Sequence, residues 1–260
     1  MEARKVGAAH GWMWLKQGFW LFKKNPLLWM VQTAIVVVGM FGIAIIPIVG
    51  DPLSALLFPS FFAGLMLGCH ALAKEEELEL AHLFAGFQRY AAPLVALGGI
   101  NLIGNFLILG MMMLTGGASL VGIMMSGNPP DNPEVFMQAV TEAWFALPLG
   151  VALSFALQAT TLFATMLVIF RSVAPIPALQ ASLRAFLRNA MPLIVYGLMQ
   201  LPFAVLATLP MMLGWLVLLP ILITSMYAVY RDMFPMESDL AASSANMEAA
   251  PPGDQPPTTS

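Results

Sequence analysis

The sequence predicts an all-α polytopic membrane protein: six transmembrane helices with amphipathic interfacial helices on the cytoplasmic side. Three observations predict it. Apolar residues make up 59% of the 260 and charged residues only 10%, against about 45–50% and 25% in soluble domains. Long windows hold no charge at all. On a six-span count, the eleven lysines and arginines all fall on one side of the membrane.

The first ten residues, MEARKVGAAH, are basic, but no early small-residue cleavage pattern follows. We expect residues 1–10 to be a retained, flexible N-terminus. Residues 11–25, GWMWLKQGFWLFKKN, hold three tryptophans and three lysines and are too polar to span. Trp12, Leu15, Phe19 and Phe22 recur at helical spacing and can share one face. Lys16 and Lys23 can then point to headgroups. An amphipathic helix on the cytoplasmic leaflet is expected, ending near Asn25, with Pro26 opening the first span. The interfacial anchors are Trp12, Trp14, Lys16, Trp20, Lys23 and Lys24, joined later in the chain by Arg89, Arg184 and Arg188.

A span needs about 20 apolar residues. The charge-free windows Lys24 to Asp51 and Asp51 to Lys74 predict helices over 27–47 and 54–73, separated by Pro47, Gly50 and Pro52. The window from Tyr90 to Pro130 is too long for one span and is interrupted by TGGAS at 115–119. It predicts a helix over 93–114, with 119–125 an extension or an interfacial piece, and a loop at SGNPPDNPE, 126–134. A fourth helix is expected over 144–170. From Asn189 to Tyr230 two helices fit, 191–208 and 211–230, if the chain turns near TLPMMLG at 208–214. Pro202 and Pro220 should kink or unwind them. The transmembrane domain thus covers 11–233. The remainder, 234–260, is rich in Pro, Ser and Ala without an apolar face and is expected to be disordered.

The loops at 47–53, 115–143 and 208–211 carry no lysine or arginine, so both termini are expected in the cytoplasm. GFWLFKKN (18–25) aligns without gaps to SLRAFLRN (182–189), and LFAGFQRYAAPLV (83–95) is a weaker third version. Each odd-numbered span follows an aromatic segment, a basic residue and a proline. Two accounts stand: an internal repeat of interfacial helix plus hairpin, or the same inner-leaflet solution reached independently.

Polar residues at membrane depth must find partners. Asn101 and Asn105 lie one turn apart in the third helix. Ser154, Gln158, Thr161 and Thr165 form a stripe in the fourth. They read either as an interhelical hydrogen-bonded seam, which we favour, or as the wall of a solute path. Gly64 and Gly68 allow close helix packing, within the chain or between chains. His10, Cys69, His70 and His82 lack metal-ligand spacing, so no metal is expected. KEEELE, 74–79, reads as a solvated helix start. No Asp, Glu, Lys or Arg falls within a span, which argues against ion-coupled transport. No phosphate loop, HExxH or GxSxG pattern occurs, so no catalytic residue or cofactor is expected. A net charge of −3 gives no reason to expect nucleic acid.

The GWxWxxxGFxLFxxNP start and HLFAGFQRYAAPLVALGGI (82–100) resemble an uncharacterised family of six-span inner-membrane proteins of Gram-negative bacteria. The resemblance covers 11 to about 232. It implies an inner-membrane location and this fold, and no site residues. Two functions are expected. The first is a non-catalytic organiser or accessory subunit, with membrane lipids, a membrane protein or a second copy as partner. The second is an uncoupled carrier or channel for a small neutral or amphipathic molecule.

Overall fold

The computed structural model describes residues 3–7, 9–127, 130 and 132–235. The described residues are mostly helical, with no strand among them. Six helices are long and apolar enough to cross a membrane.

Three consecutive units build the molecule, each a short helix followed by a hairpin of long ones. The first is α1 (His10–Lys24), α2 (Pro26–Ala44) and α3 (Gly50–Ala73). The second is α4 (Ala81–Arg89), α5 (Ala91–Met112), α6 (Ala118–Ser126), α7 (Pro133–Glu142) and α8 (Ala146–Arg171). The third is α9 (Pro175–Arg188), α10 (Ala190–Thr208) and α11 (Trp215–Met233). The short helices close the units into a ring. α4 packs on α3, α9 on α8, and α1 on α11, so each leans on the second long helix of the unit before it. The long helices sort accordingly. α3, α8 and α11 are at least half buried over their most apolar windows, whereas less than a quarter of the corresponding windows is buried in α2, α5 and α10.

Local chemistry sets the boundaries. Asn25 caps α2, its Oδ1 accepting from the Leu28 N–H at 3.3 Å, and Pro26 occupies the first turn, where no N–H is needed. α8 stops where Ser172 turns left-handed at φ 52°. Ala174 is extended ahead of Pro175, as a residue before proline prefers, and α9 starts there.

TGGAS does interrupt the third span, as expected: the backbone is non-helical at Thr115 and Gly116. The chain passes through a π-type turn, Met113–Gly117, with Gly116 at φ 101°, and continues as α6. Several expectations need correction. Between the loop expected at 126–134 and the fourth span lies an unexpected helix, α7, opened by Asn132, whose side chain accepts from the Glu134 N–H at 2.9 Å. α6 and α7 bury Leu120, Ala139 and Ala143 in a small satellite core. α10 and α11 are not unwound at Pro202 and Pro220, and the last helix begins at Trp215, four residues past its expected start. KEEELE is not a helix start. It lies in the connection between α3 and α4, held by Gln32 Nε2 donating to the Glu79 carbonyl at 2.7 Å. The N-terminal segment is not loose over residues 3–7. Ala3 and Val6 are buried, and the Arg4 N–H donates to the Met233 carbonyl at 2.9 Å. The expected tail lies outside the described residues from 236 onward, while Phe234 is buried in the core.

Candidate functional site

α1 presents two faces with different chemistry. One is made by Gly11, Trp14, Leu15, Gly18, Leu21 and Phe22, all buried. Gly18 is required there: a Cβ would lie 2.5 Å from the Ser225 backbone nitrogen on α11. The Gly18 carbonyl sits 2.8 Å from the Thr224 hydroxyl. Trp14 is sealed within the protein, its ring edge-on to Tyr196 and its indole N–H donating to Asp232 at 2.8 Å. It therefore does not reach lipid, in contrast to its expected role as an anchor. The expected apolar stripe also splits: Leu15 and Phe22 are buried, and Trp12 and Phe19 are exposed.

The opposite face carries Trp12, Met13, Lys16, Phe19, Trp20 and Lys23, all exposed. Its lysines lie over its rings, Lys16 on Trp12 at 5.6 Å and Lys23 on Phe19 at 5.8 Å. Lys24 lies over Trp20 at 4.2 Å and also donates to the Leu72 carbonyl at 2.8 Å, closing the end of α3. An ammonium over an aromatic face is attracted by the ring quadrupole. Arg89 on α4 and Arg184 and Arg188 on α9 are exposed at the corresponding helices of the other units.

The start of α1 and the end of α11 meet at this side of the molecule, a feature without a spacing signal. His10 Nδ1 lies 2.7 Å from Asp232 Oδ2, the oxygen that also accepts from Trp14. His70 Nδ1 lies 2.8 Å from the Tyr227 hydroxyl. A cleft of about 390 Å³ opens between α1 and α11, with Arg4, Gln17, Trp20, Tyr227 and Arg231 among its walls.

The polar seam is partly assembled. Asn101 Nδ2 donates to Thr161 Oγ1 at 2.9 Å and to Gln158 Oε1 at 3.2 Å. Asn105 Nδ2 donates back to the Asn101 carbonyl and side-chain oxygens, at 2.8 and 2.9 Å. Asn101 and Thr161 are buried. Thr165 is buried too, but bonds to its own helix through the Thr161 carbonyl. The Ser154 hydroxyl makes no hydrogen bond to a described residue, although Ser154 lies within α8. Gly64 and Gly68 pack inside the chain: a Cβ on Gly64 would strike the Leu83 carbonyl of α4, and one on Gly68 would lie 2.7 Å from Leu78. Cys69 is a buried free thiol, and no group of three or more His, Cys, Asp or Glu converges among the described residues.

The chain is similar to a probable inner membrane protein of Burkholderia thailandensis, at 28% identity over 91% of this chain and 95% of that one. No protein-family model matches. No solved structure matches. Six apolar helices and this relative together make the chain an integral membrane protein.

Proposed function

We propose that the protein is a non-catalytic organiser of the inner membrane, binding anionic lipid headgroups through its basic, aromatic short helices, with both termini in the cytoplasm. The observation that carries this reading is the outward face of α1, where Lys16 and Lys23 lie over Trp12 and Phe19. Such a face suits the headgroup layer: rings sit at the water–lipid boundary and ammonium groups meet phosphate. The lysine and arginine distribution supports the orientation. The seam supports a packed bundle, because Asn101 uses its donors on protein acceptors.

The test is lipid retention by the purified protein in nanodiscs of phosphatidylethanolamine with or without phosphatidylglycerol, read by native mass spectrometry. Phosphatidylglycerol should be retained preferentially, and Lys16→Gln with Lys23→Gln should weaken this about fivefold per lysine removed. Equal retention of both lipids would rule the reading out.

One observation favours the carrier. A cleft of about 520 Å³, walled by Ile48, Asp51, Leu102 and Asn105, opens between the turn after α2 and α5 at the end away from the basic helices. It touches one member of the seam. Solute entry through it would require water at Asn105.

A further inference from the structure

Gln158 is the member of the seam that does not fit a closed bundle. It sits midway along α8 (Ala146–Arg171), about 18 Å from the helix start at 1.5 Å per residue. Midway along a membrane-crossing helix, a polar group has no water to satisfy it. Its Oε1 accepts from Asn101, yet the side chain is exposed, and among the described residues nothing accepts from its Nε2. A carboxamide carries two N–H donors and an oxygen with two lone pairs. Gln158 therefore holds both donors and one lone pair unused, on the outer surface of a helix long and apolar enough to cross a membrane. It is flanked on the same stripe by Val151 and Phe155, which are 62% and 51% exposed.

We propose that this stripe of α8 binds a second copy of the chain, with Gln158 of each copy donating to the other's Oε1. Two properties point to a copy rather than to an unrelated helix. The amide is its own complement, supplying donor and acceptor together. Two copies inserted in one orientation are related by an axis along the membrane normal, so their Gln158 residues meet at equal depth without further design. An unrelated partner would need a free acceptor at that same level. Val151 and Phe155 supply apolar contact around the amide pair. The inference is independent of the lipid-binding reading.

The test uses the full chain in membranes, with Cys69→Ala as background. Val151→Cys and Phe155→Cys are introduced singly and oxidised. At least one should form a disulfide-linked dimer. Val38→Cys on α2, 69% exposed but on another helix, should stay monomeric. Adding Gln158→Leu should lower the dimer about tenfold, as loss of two interhelical hydrogen bonds would. That substitution keeps the Asn101–Thr161 bond but removes the Asn101 donation to Gln158, so cooperative unfolding of the purified variant, at a somewhat lower melting temperature, verifies that it folds. Absence of a dimer at both positions, equal cross-linking at Val38, or a dimer indifferent to Gln158→Leu would each overturn the proposal. A cross-link at a mass other than twice that of the chain would place an unrelated membrane protein on the stripe and would overturn it as well.

Discussion

Asn25 and Asn189 occupy matched positions, each closing a short helix with an aromatic three residues before it and a basic residue just before it, yet they do different work. Asn25 is half exposed and caps the following span through one bond to the Leu28 N–H. Asn189 is fully buried and clasps the N-terminal segment, its Oδ1 accepting from the Val6 N–H at 2.8 Å and its Nδ2 donating to the Arg4 carbonyl at 3.1 Å. The aromatics differ as well. Phe22 is buried, while Phe186 is half-buried and meets the exposed ring of Phe155 edge-on. Gly18 touches the backbone of α11, whereas its counterpart Ser182 fits a Cβ and hydroxyl, the latter without a partner. A matched motif thus decides where a helix ends. What lies over that end decides which hydrogen bonds its residues make.

Exchanging matched residues should sharpen this contrast. Gly18→Ser makes the first copy resemble the second, but the new side chain has no room against Ser225. It should cost about 3 kcal/mol or more, read as a fall in the melting temperature and yield of purified protein. Asn189→Ala leaves the buried Val6 N–H without its acceptor. It should cost about 1–3 kcal/mol and open residues 3–7 to limited proteolysis. Asn25→Ala removes one long capping bond and should cost about 0.5–1 kcal/mol, with no change in proteolysis at the N-terminus. Ser182→Ala removes a buried hydroxyl without a partner, so its melting temperature should hold or rise slightly. Equal costs for the two asparagines would break the comparison.

The spans are legible in the sequence because a charge inside hydrocarbon is costly, so charge-free windows mark them. The seam is legible in part for a related reason: Asn101 and Thr161 are polar at depth and have to meet something, and they meet each other. By spacing alone Gln158 is one more member of that seam. Its exposure depends on how α8 is rotated in the bundle, which spacing does not reveal. α7 escapes a search for apolar runs because PEVFMQAVTE has no long one, although Asn132, Pro133 and Glu134 form a recognisable helix start. Trp14 reads as an anchor because α1 carries large apolar residues on both faces. The residues 12, 15, 19 and 22 satisfy helical spacing as well as 11, 14, 18 and 22 do. The glycines at 11 and 18 are the available cue, since close packing on another helix requires small residues. The pairing of His10 with Asp232 joins opposite ends of the chain and has no local signal.

The central claim is a dry bundle whose work is done at its basic face. The most direct measurement is cysteine labelling in membranes of the Cys69→Ala chain with a membrane-impermeant thiol reagent applied from each side. Cysteines go at Asn101 and Thr161 in the seam, at Glu77 between α3 and α4, and at Glu134 in α7. A dry bundle predicts silence at 101 and 161 from both sides, labelling at 77 from the cytoplasm alone, and labelling at 134 from the opposite side alone. Labelling at 101 or 161 would reveal water in the seam and contradict the claim in favour of a solute path.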